Sequence, residues 1–272
     1  MLAWNTGVVA RTVAEGLGEH DERLRPFRSL KDVRQRAEGM FIVESERVFE
    51  RAVALGLTIN AVLLTPGRFR RLAGFLEQID GHVFVAEAEI VDAVVGFPLH
   101  RGVIALAQRP PLISPFALLG GAQRVIVLED VVDPDNVGSV FRHAAAFGAD
   151  AILLSAHAGD PLYRKAVRTS MGWVLDVPWT RLGSSDGLIP TLRESGFTTL
   201  ALTPSGDVDI RDPRLAIARP DRMAIVLGAE SDGLRVDTLG QCDHRVRVPI
   251  SPHVDSLNVA TTAAIAAFEL FR

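Results

Sequence analysis

Six short apolar runs set what the second half of the chain can fold into. They are RVIVLED (124–130), AILLS (151–155), VLDVPW (174–179), FTTLALT (197–203), RMAIVLG (222–228) and RVRVPI (245–250). Several are continuously apolar. A strand with one wet face alternates polar and apolar residues, whereas a strand covered on both faces of a parallel sheet does not. Helical patterns separate the runs, as parallel connections require. Residues 124–272 therefore read as an α/β domain on a mostly parallel sheet. The last helix, 256–271, is almost bare of charge until Glu269 and carries Ala260, Ala263, Ala264 and Ala267 with Phe268 and Phe271. A helix apolar nearly all round must be buried, and its alanines let another backbone come close.

The first half divides differently. Residues 1–20 have weak periodicity and read as a loosely held lead-in. Residues 21–107 alternate helix and strand: RSLKDVRQRAEG to MFIVE, SERVFERAVALG to TINAVLLT, a short helix after Pro66 to HVFVAE, and AEIVDAVVG to GVIALA. This is a second, smaller α/β domain. Between the two, residues 108–123 (QRPPLISPFALLGGAQ) hold three prolines and two adjacent glycines and read as a linker.

Composition and missing motifs narrow the class. With 48% hydrophobic and 23% charged residues, the 272-residue chain has the balance of a globular protein with a sizeable core. The opening MLAWNTGVVA has no basic segment before a long apolar run, so no signal peptide is expected. No apolar stretch approaches the roughly 18 residues that span a bilayer. The single cysteine, Cys242, excludes an internal disulfide and fits a reducing cytoplasm. It reads as a small buried hydrophobe. The seven histidines have no metal-ligand spacing, and one cysteine cannot build a zinc site, so no metal is expected. No glycine-rich dinucleotide loop, P-loop or esterase elbow occurs.

The net charge of −4 argues against a protein that coats nucleic acid non-specifically. Locally the balance reverses. Arg23, Arg25, Arg28, Lys31, Arg34 and Arg36 face one acid, Asp32, within residues 23–36. This is either a solvated helix face or a phosphate-binding patch. Arginine suits phosphate because its planar fork is bidentate. It is also this chain's habitual cation, since Lys31 and Lys165 are the only lysines.

Three strand-to-helix turns of the second domain carry unusual polar content. The first is EDVVDPDNVGSVFR (129–142), the second IVLGAESDGLR (225–235), the third VPISPHVDSLNVATTAA (248–264). Each has an ordinary reading. Asp135 or Asn136 can cap a helix, as can Ser256. Glu230 is a first-turn acid. Gly228 and Gly233 are turn glycines, and Arg142 can pair with Asp135 or Asp150. Taken together, the polar residues gather at three strand ends of one sheet, where open α/β sheets bind ligands.

These turns resemble the three motifs of the SpoU (TrmH) family of RNA 2′-O-ribose methyltransferases, in the SPOUT superfamily. D-P-x-N-x-G-x-x-x-R is matched by Asp133, Pro134, Asn136, Gly138 and Arg142. G-x-E-x-x-G-L is matched by Gly228, Glu230, Gly233 and Leu234. S-L-N-V is matched by Ser256, Leu257, Asn258 and Val259. YRKAVRTSMG (163–172) is similar to the family's segment after the second strand, and the resemblance spans 124–272. Ser231 stands where the family often has glycine. FIVESERV and HRGVIALAQR make the first domain similar to the family's RNA-binding extension, itself like a small ribosomal protein.

The resemblance implies a deep trefoil knot in the mostly parallel-sheet domain, a homodimer with its site at the subunit interface, and S-adenosyl-L-methionine as cofactor. By motif position the cofactor would lie against Gly228, Ala229, Glu230, Val248, Ile250 and Leu257, with Thr203 and Pro204 beside the adenine. The family assigns activation of the ribose 2′-hydroxyl to Arg142. A guanidinium hardly ever loses its proton, so an orienting role fits Arg142 better and Glu230 competes as the base. Asn136 and Asn258 would hold Arg142 and the ribose, and Ser256 would touch a phosphate. Arg23, Arg25, Arg28, Lys31 and Arg34 would bind RNA. The separate first domain favours ribosomal RNA over transfer RNA. A transfer-RNA enzyme, a catalytically silent RNA-binding protein and a small-molecule transferase are the alternatives.

Overall fold

The structure, a computed structural model, describes residues 12–28, 30–99, 102–213, 215 and 221–271. The chain forms two compact units, one of residues 12–110 with Leu162–Arg168, the other of 111–161 with 169–271.

The first unit is a five-stranded sheet in the order β1-β4-β3-β5-β2. Its strands are β1 (Val13–Ala14), β2 (Met40–Glu44), β3 (Ile59–Leu64), β4 (His82–Val85) and β5 (Val103–Gln108). β1, β4 and β3 run parallel; β5 is antiparallel to β3 and β2. Helices α1 (Asp32–Ala37), α2 (Glu46–Ala54), α3 (Pro66–Arg71), α4 (Ala73–Leu76) and α5 (Ala88–Val95) belong to it, as does most of a short helix at Arg164–Thr169. Part of the supposed lead-in is structural. β1 pairs with β4, and Ala14 and Leu17 join the core with Leu24, Phe27 and Ile42. Residues 1–11 of that segment lie outside the described residues, as do the first two of HRGVIALAQR. The helix read over 28–39 is shorter than expected. A 3₁₀ turn, Glu22–Phe27, holds Pro26, and only Asp32–Ala37 is α-helical. Within this unit Arg164 pairs with Glu44 at 2.6 Å and lies 3.8 Å over the Phe97 ring.

The second unit begins inside the expected linker. Pro115–Gly120 is a helix, α6, because Pro115 sits in its first turn and the Ser114 hydroxyl accepts from Ala117 N at 3.2 Å. Leu118, Leu119 and Ala122 join the core. The sheet has seven strands in the order β10-β12-β9-β11-β6-β7-β8. They are β6 (Arg124–Leu128), β7 (Ala151–Leu154), β8 (Trp179–Arg181), β9 (Thr198–Leu202), β10 (Val208–Asp209), β11 (Met223–Leu227) and β12 (His244–Arg247). All its pairings are parallel. The continuous apolar runs account for the middle of the sheet, where residues 125–128, 151–154 and 223–227 are buried.

VLDVPW is not the strand it was read as. Trp173–Leu175 is a 3₁₀ turn led in by Gly172 at φ 82°, and β8 starts only after Pro178. Proline has no N–H to donate; its carbonyl accepts from Ile152 N at 2.9 Å. The helices are α7 (Pro134–Phe147), α8 (Leu188–Glu194), α9 (Val236–Gln241) and α10 (Val259–Leu270). α10 packs on α7 and β11. It buries Val259, Ala260, Ala263, Ala266, Ala267 and Leu270, while Phe268 stays 46% exposed, edge-on to Phe147.

Candidate active site

The first turn places Asn136 and Arg142 on α7. The helix starts at Pro134, so the cap is Asp133, whose Oδ1 accepts from Asp135 N (2.7 Å) and Asn136 N (3.2 Å). Sequence reasoning gave that cap to Asp135 or Asn136. Pro134 decides against it, since proline is favoured at the first helical position. Asn136 is thereby spared from capping and is buried in the first helical turn. Arg142 is exposed and makes no hydrogen bond or ion pair with another described residue. Asp150 accepts instead from Gln123 N and Arg124 N, both at 2.8 Å, and Asp135 from Thr169 Oγ1 at 2.9 Å. Beside Arg142, His143 Nδ1 donates to Ala260 O at 3.0 Å. Burial pushes its imidazole pKa down, the carbonyl opposes this, and the Arg142 charge adds to the fall.

The second turn follows β11. A β-carbon on Gly228 would lie 2.2 Å from Gly233 C, so only glycine permits this crossing. Ala229 and Gly233 form an isolated bridge that closes the loop, with Gly233 at φ 69°. Glu230 projects from the loop, exposed. Near β12 the turn after β9 is equally tight. Thr203 N donates to Val246 O at 3.0 Å, and a β-carbon on Gly206 would lie 2.6 Å from Val246 C. Thr203 is half-buried and Pro204 exposed.

The third turn leads into α10. Val248, Ile250 and Leu257 are half-buried, and Ser256 is exposed. The cap of α10 is Asn258, not Ser256: its Oδ1 accepts from Ala260 N (2.9 Å) and Thr261 N (3.2 Å). The same side chain joins the three turns. Asn258 Nδ2 donates to Asn136 Oδ1 and to Glu230 Oε1, each at 2.9 Å. Both amide hydrogens and the carbonyl of Asn258 are thus engaged. Its Nδ2 partners are Asn136 and Glu230, and Arg142 is not among them.

Sequence reasoning missed Glu129, the fully buried residue that directly follows β6. Its carboxylate accepts from Arg235 N at 2.9 Å and from the Thr238 hydroxyl. The available signal was a carboxylate directly after a continuous apolar strand.

In the first unit the basic run is partly neutralised by acids outside the window in which it was counted. Arg23 pairs with Asp21 at 2.7 Å, Arg28 with Glu22 at 3.5 Å and Arg34 with Glu38 at 3.1 Å. Arg25 and Lys31 are exposed and have no partner among the described residues. No group of three or more metal-ligating side chains stands together among the described residues, and no described helix is long and apolar enough to cross a membrane.

A parallel sheet whose strand ends hold an interlocked Asn-Asn-Glu cluster, with Arg142 on the helix of Asn136 and free of hydrogen bonds and ion pairs to other described residues, has the make-up of a ligand-binding α/β unit. Residues 123–268 match the SpoU rRNA Methylase family. An uncharacterized tRNA/rRNA methyltransferase of Mycobacterium tuberculosis is 40% identical over 257 residues, covering 93% of this chain and 89% of that protein. The 23S rRNA (guanosine-2′-O-)-methyltransferase RlmB of a Burkholderia species is 28% identical over 230 residues, covering 82% and 92%. The crystal structure of AdoMet-bound rRNA methyltransferase from Sinorhizobium meliloti superposes with a TM-score of 0.83 at 23% identity, covering 95% of this chain and 97% of that one. The chain belongs to the SpoU family of RNA methyltransferases.

Proposed function

We propose that this protein transfers the methyl group of S-adenosyl-L-methionine to the 2′-hydroxyl of a ribose in structured ribosomal RNA. The observation that carries this is the Asn258 amide holding Asn136 and Glu230 together, with Arg142 exposed on the Asn136 helix and unpaired among the described residues. The relative that methylates guanosine 2′-O in 23S rRNA supports the substrate class.

The residues present fit the cofactor. Gly228 and Gly206 leave no room for a β-carbon, so main chain crowds close at both strand ends. Half-buried Val248, Ile250 and Leu257 supply apolar surface, Glu230 is exposed, and half-buried Thr203 with exposed Pro204 would border the adenine. Apolar walls with a few polar groups are the usual make-up of a small-molecule site. Bound there, the sulfonium supplies an already activated methyl group.

The protein's own task is then to orient a hydroxyl and take its proton. The Arg142 guanidinium orients the hydroxyl or the neighbouring phosphate. Glu230, fixed through Oε1 by Asn258, receives the proton on its carboxylate as the oxygen gains the methyl group. Ser256 is exposed at the same edge, where it meets an RNA phosphate.

Residues 21–107, within the first unit, are the RNA-binding domain in this reading, with Arg23, Arg25, Arg28, Lys31 and Arg34 at its contact face. The site is completed in a cytoplasmic homodimer, for which exposed Phe268 on Phe147 offers apolar surface. The trefoil knot belongs to the same reading. β12 lies between β10 and β9, yet the next helix packs on α7 and β11, so the chain crosses back after its last strand.

Mapping ribose methylation in total RNA with and without the protein tests the proposal. A protein-dependent site in ribosomal RNA is the expected result. Modification confined to transfer RNA would move the substrate, and RNA binding without methyl transfer would make this a silent RNA-binding protein.

A further inference from the structure

We infer that Glu129 is the positioning residue of the cofactor loop: one side chain and its own N–H anchor both ends of residues 228–234. The inference rests on the proposed function for the identity of the loop's ligand. At the entry end, Glu129 N–H donates to Leu227 O at 2.8 Å, directly after the last β6–β11 pair, Leu128 and Leu227. At the exit end, Glu129 Oε2 accepts from Arg235 N at 2.9 Å and Oε1 from the Thr238 hydroxyl.

Two features make this more than packing. Glu129 is fully buried, and its two recorded side-chain partners are neutral donors, an expensive placement for an acid. Arg235 caps α9 without a side-chain hydrogen bond of its own, and its own N–H, the donor that a capping-box acid three residues on would take, goes instead to Glu129 from another strand, because that position is Thr238. The loop between the anchors has little freedom left, because Gly228 abuts Gly233 and Ala229 bridges Gly233. Glu230 projects from this clamped segment. The chain also runs from Glu129 through residues 130–132 to the Asp133 cap, so one residue ties the first turn to the second.

The chemistry separates positioning from charge. In Glu129→Gln the amide oxygen still accepts from Arg235 N, and the Thr238 hydroxyl, able to donate or accept, turns to receive the amide N–H. Glu129→Ala leaves both donors unpaired. Losing a buried acceptor is costly, and an affinity that depends on it should fall by about tenfold or more.

The experiment measures S-adenosyl-L-methionine affinity by calorimetry and amide hydrogen exchange along the full chain, for wild type, Glu129→Gln, Glu129→Ala and Thr238→Val. Glu129→Ala is expected to weaken binding about tenfold and to speed exchange over 228–235 while the interior of β7 keeps its protection. Glu129→Gln should stay within about threefold. Thr238→Val, which removes one donor at constant volume, moves both readouts the same way by less, and it carries the test if the alanine variant does not fold. Uniformly faster exchange, unchanged affinity in Glu129→Ala, or a glutamine variant as weak as the alanine one would overturn the inference. A wild-type chain that binds no S-adenosyl-L-methionine would sink the proposed function instead, and the exchange pattern would still decide whether Glu129 anchors the loop.

Discussion

Asn258 Nδ2 lies 2.9 Å from Asn136 Oδ1, although the two residues are 122 positions apart. Each stands at the start of a helix, and those helices pack on one another. Asn258 therefore works twice, as the cap of α10 and as the link from α10 to α7 and Glu230.

A double-mutant cycle measures that link. Asn258→Ala removes a cap and two donated bonds and should cost about 1–2 kcal/mol of stability. Asn136→Ala should cost about 1 kcal/mol. Residues in contact couple, so the double variant should fall short of the sum by about 0.5 kcal/mol or more. Strict additivity in urea unfolding would mean that the bond contributes nothing.

Gly228→Ala tests the closeness of the second turn. The new β-carbon meets main chain at 2.2 Å, so the loop must move, at about 1–3 kcal/mol. S-adenosyl-L-methionine binding should be lost with it. Gly74→Ala is the control. It lies in α4 with nothing within 4 Å of the added carbon, and it should be neutral or stabilising by about 0.4–1 kcal/mol. A Gly228→Ala protein with native affinity would remove the loop from the cofactor site.

Much of this architecture was readable from sequence, for a physical reason. Residues 124–128 and 223–227 sit at the centre of a parallel sheet and show it as unbroken apolar runs. Caps were harder to read. Asp133, Asp135 and Asn136 can all cap a helix, and Ser256 competes with Asn258 in the same way, so the choice rests on where the first turn closes. The position of Glu129 after an apolar strand is visible in the sequence, but its partners are not, because they stand 106 and 109 residues away. β1 is two residues long and is held by its neighbour, not by its own pattern. Charge summed over 23–36 missed Asp21, Glu22 and Glu38, local partners of the arginines that stand just outside that window.

That last point yields a prediction of opposite sign to a simple charge deletion. Hydrogen bonds from Arg23 hold the Asp21 carboxyl at about 2, below its usual 3.8. A carboxyl with a lowered folded-state pKa keeps its contact above the unfolded value and loses it as pH falls through the folded one. The Asp21–Arg23 contact is thus complete at neutral pH and dissolves between about pH 4 and 2. Asp21→Asn should free Arg23 at pH 7 while keeping an acceptor for Arg23 N. If the basic run binds RNA, affinity should rise and the salt dependence steepen by about one counterion. Arg25→Ala and Lys31→Ala should each flatten it by about one. Salt slopes that do not move in either direction would return the run to an ordinary solvated face.

Arg142 separates chemistry from folding and from cofactor binding. It is exposed and has no partner among the described residues, so Arg142→Ala should change stability by no more than about 0.5 kcal/mol. S-adenosyl-L-methionine affinity should also hold, because the proposed pocket is built from the ends of β9, β11 and β12 and not from α7. Methyl transfer should fall by a factor of about 10² to 10³ or more, the usual loss when a preorganised charge is removed from a transition state. Arg142→Lys should fail almost as badly, since an ammonium cannot reproduce the planar fork. Single-turnover rates at saturating RNA distinguish the two uses of the side chain. A lysine variant that retains most of the rate but binds RNA more weakly would make Arg142 a general cation, and would leave Glu230, held by Asn258, as the group on which the proton transfer depends.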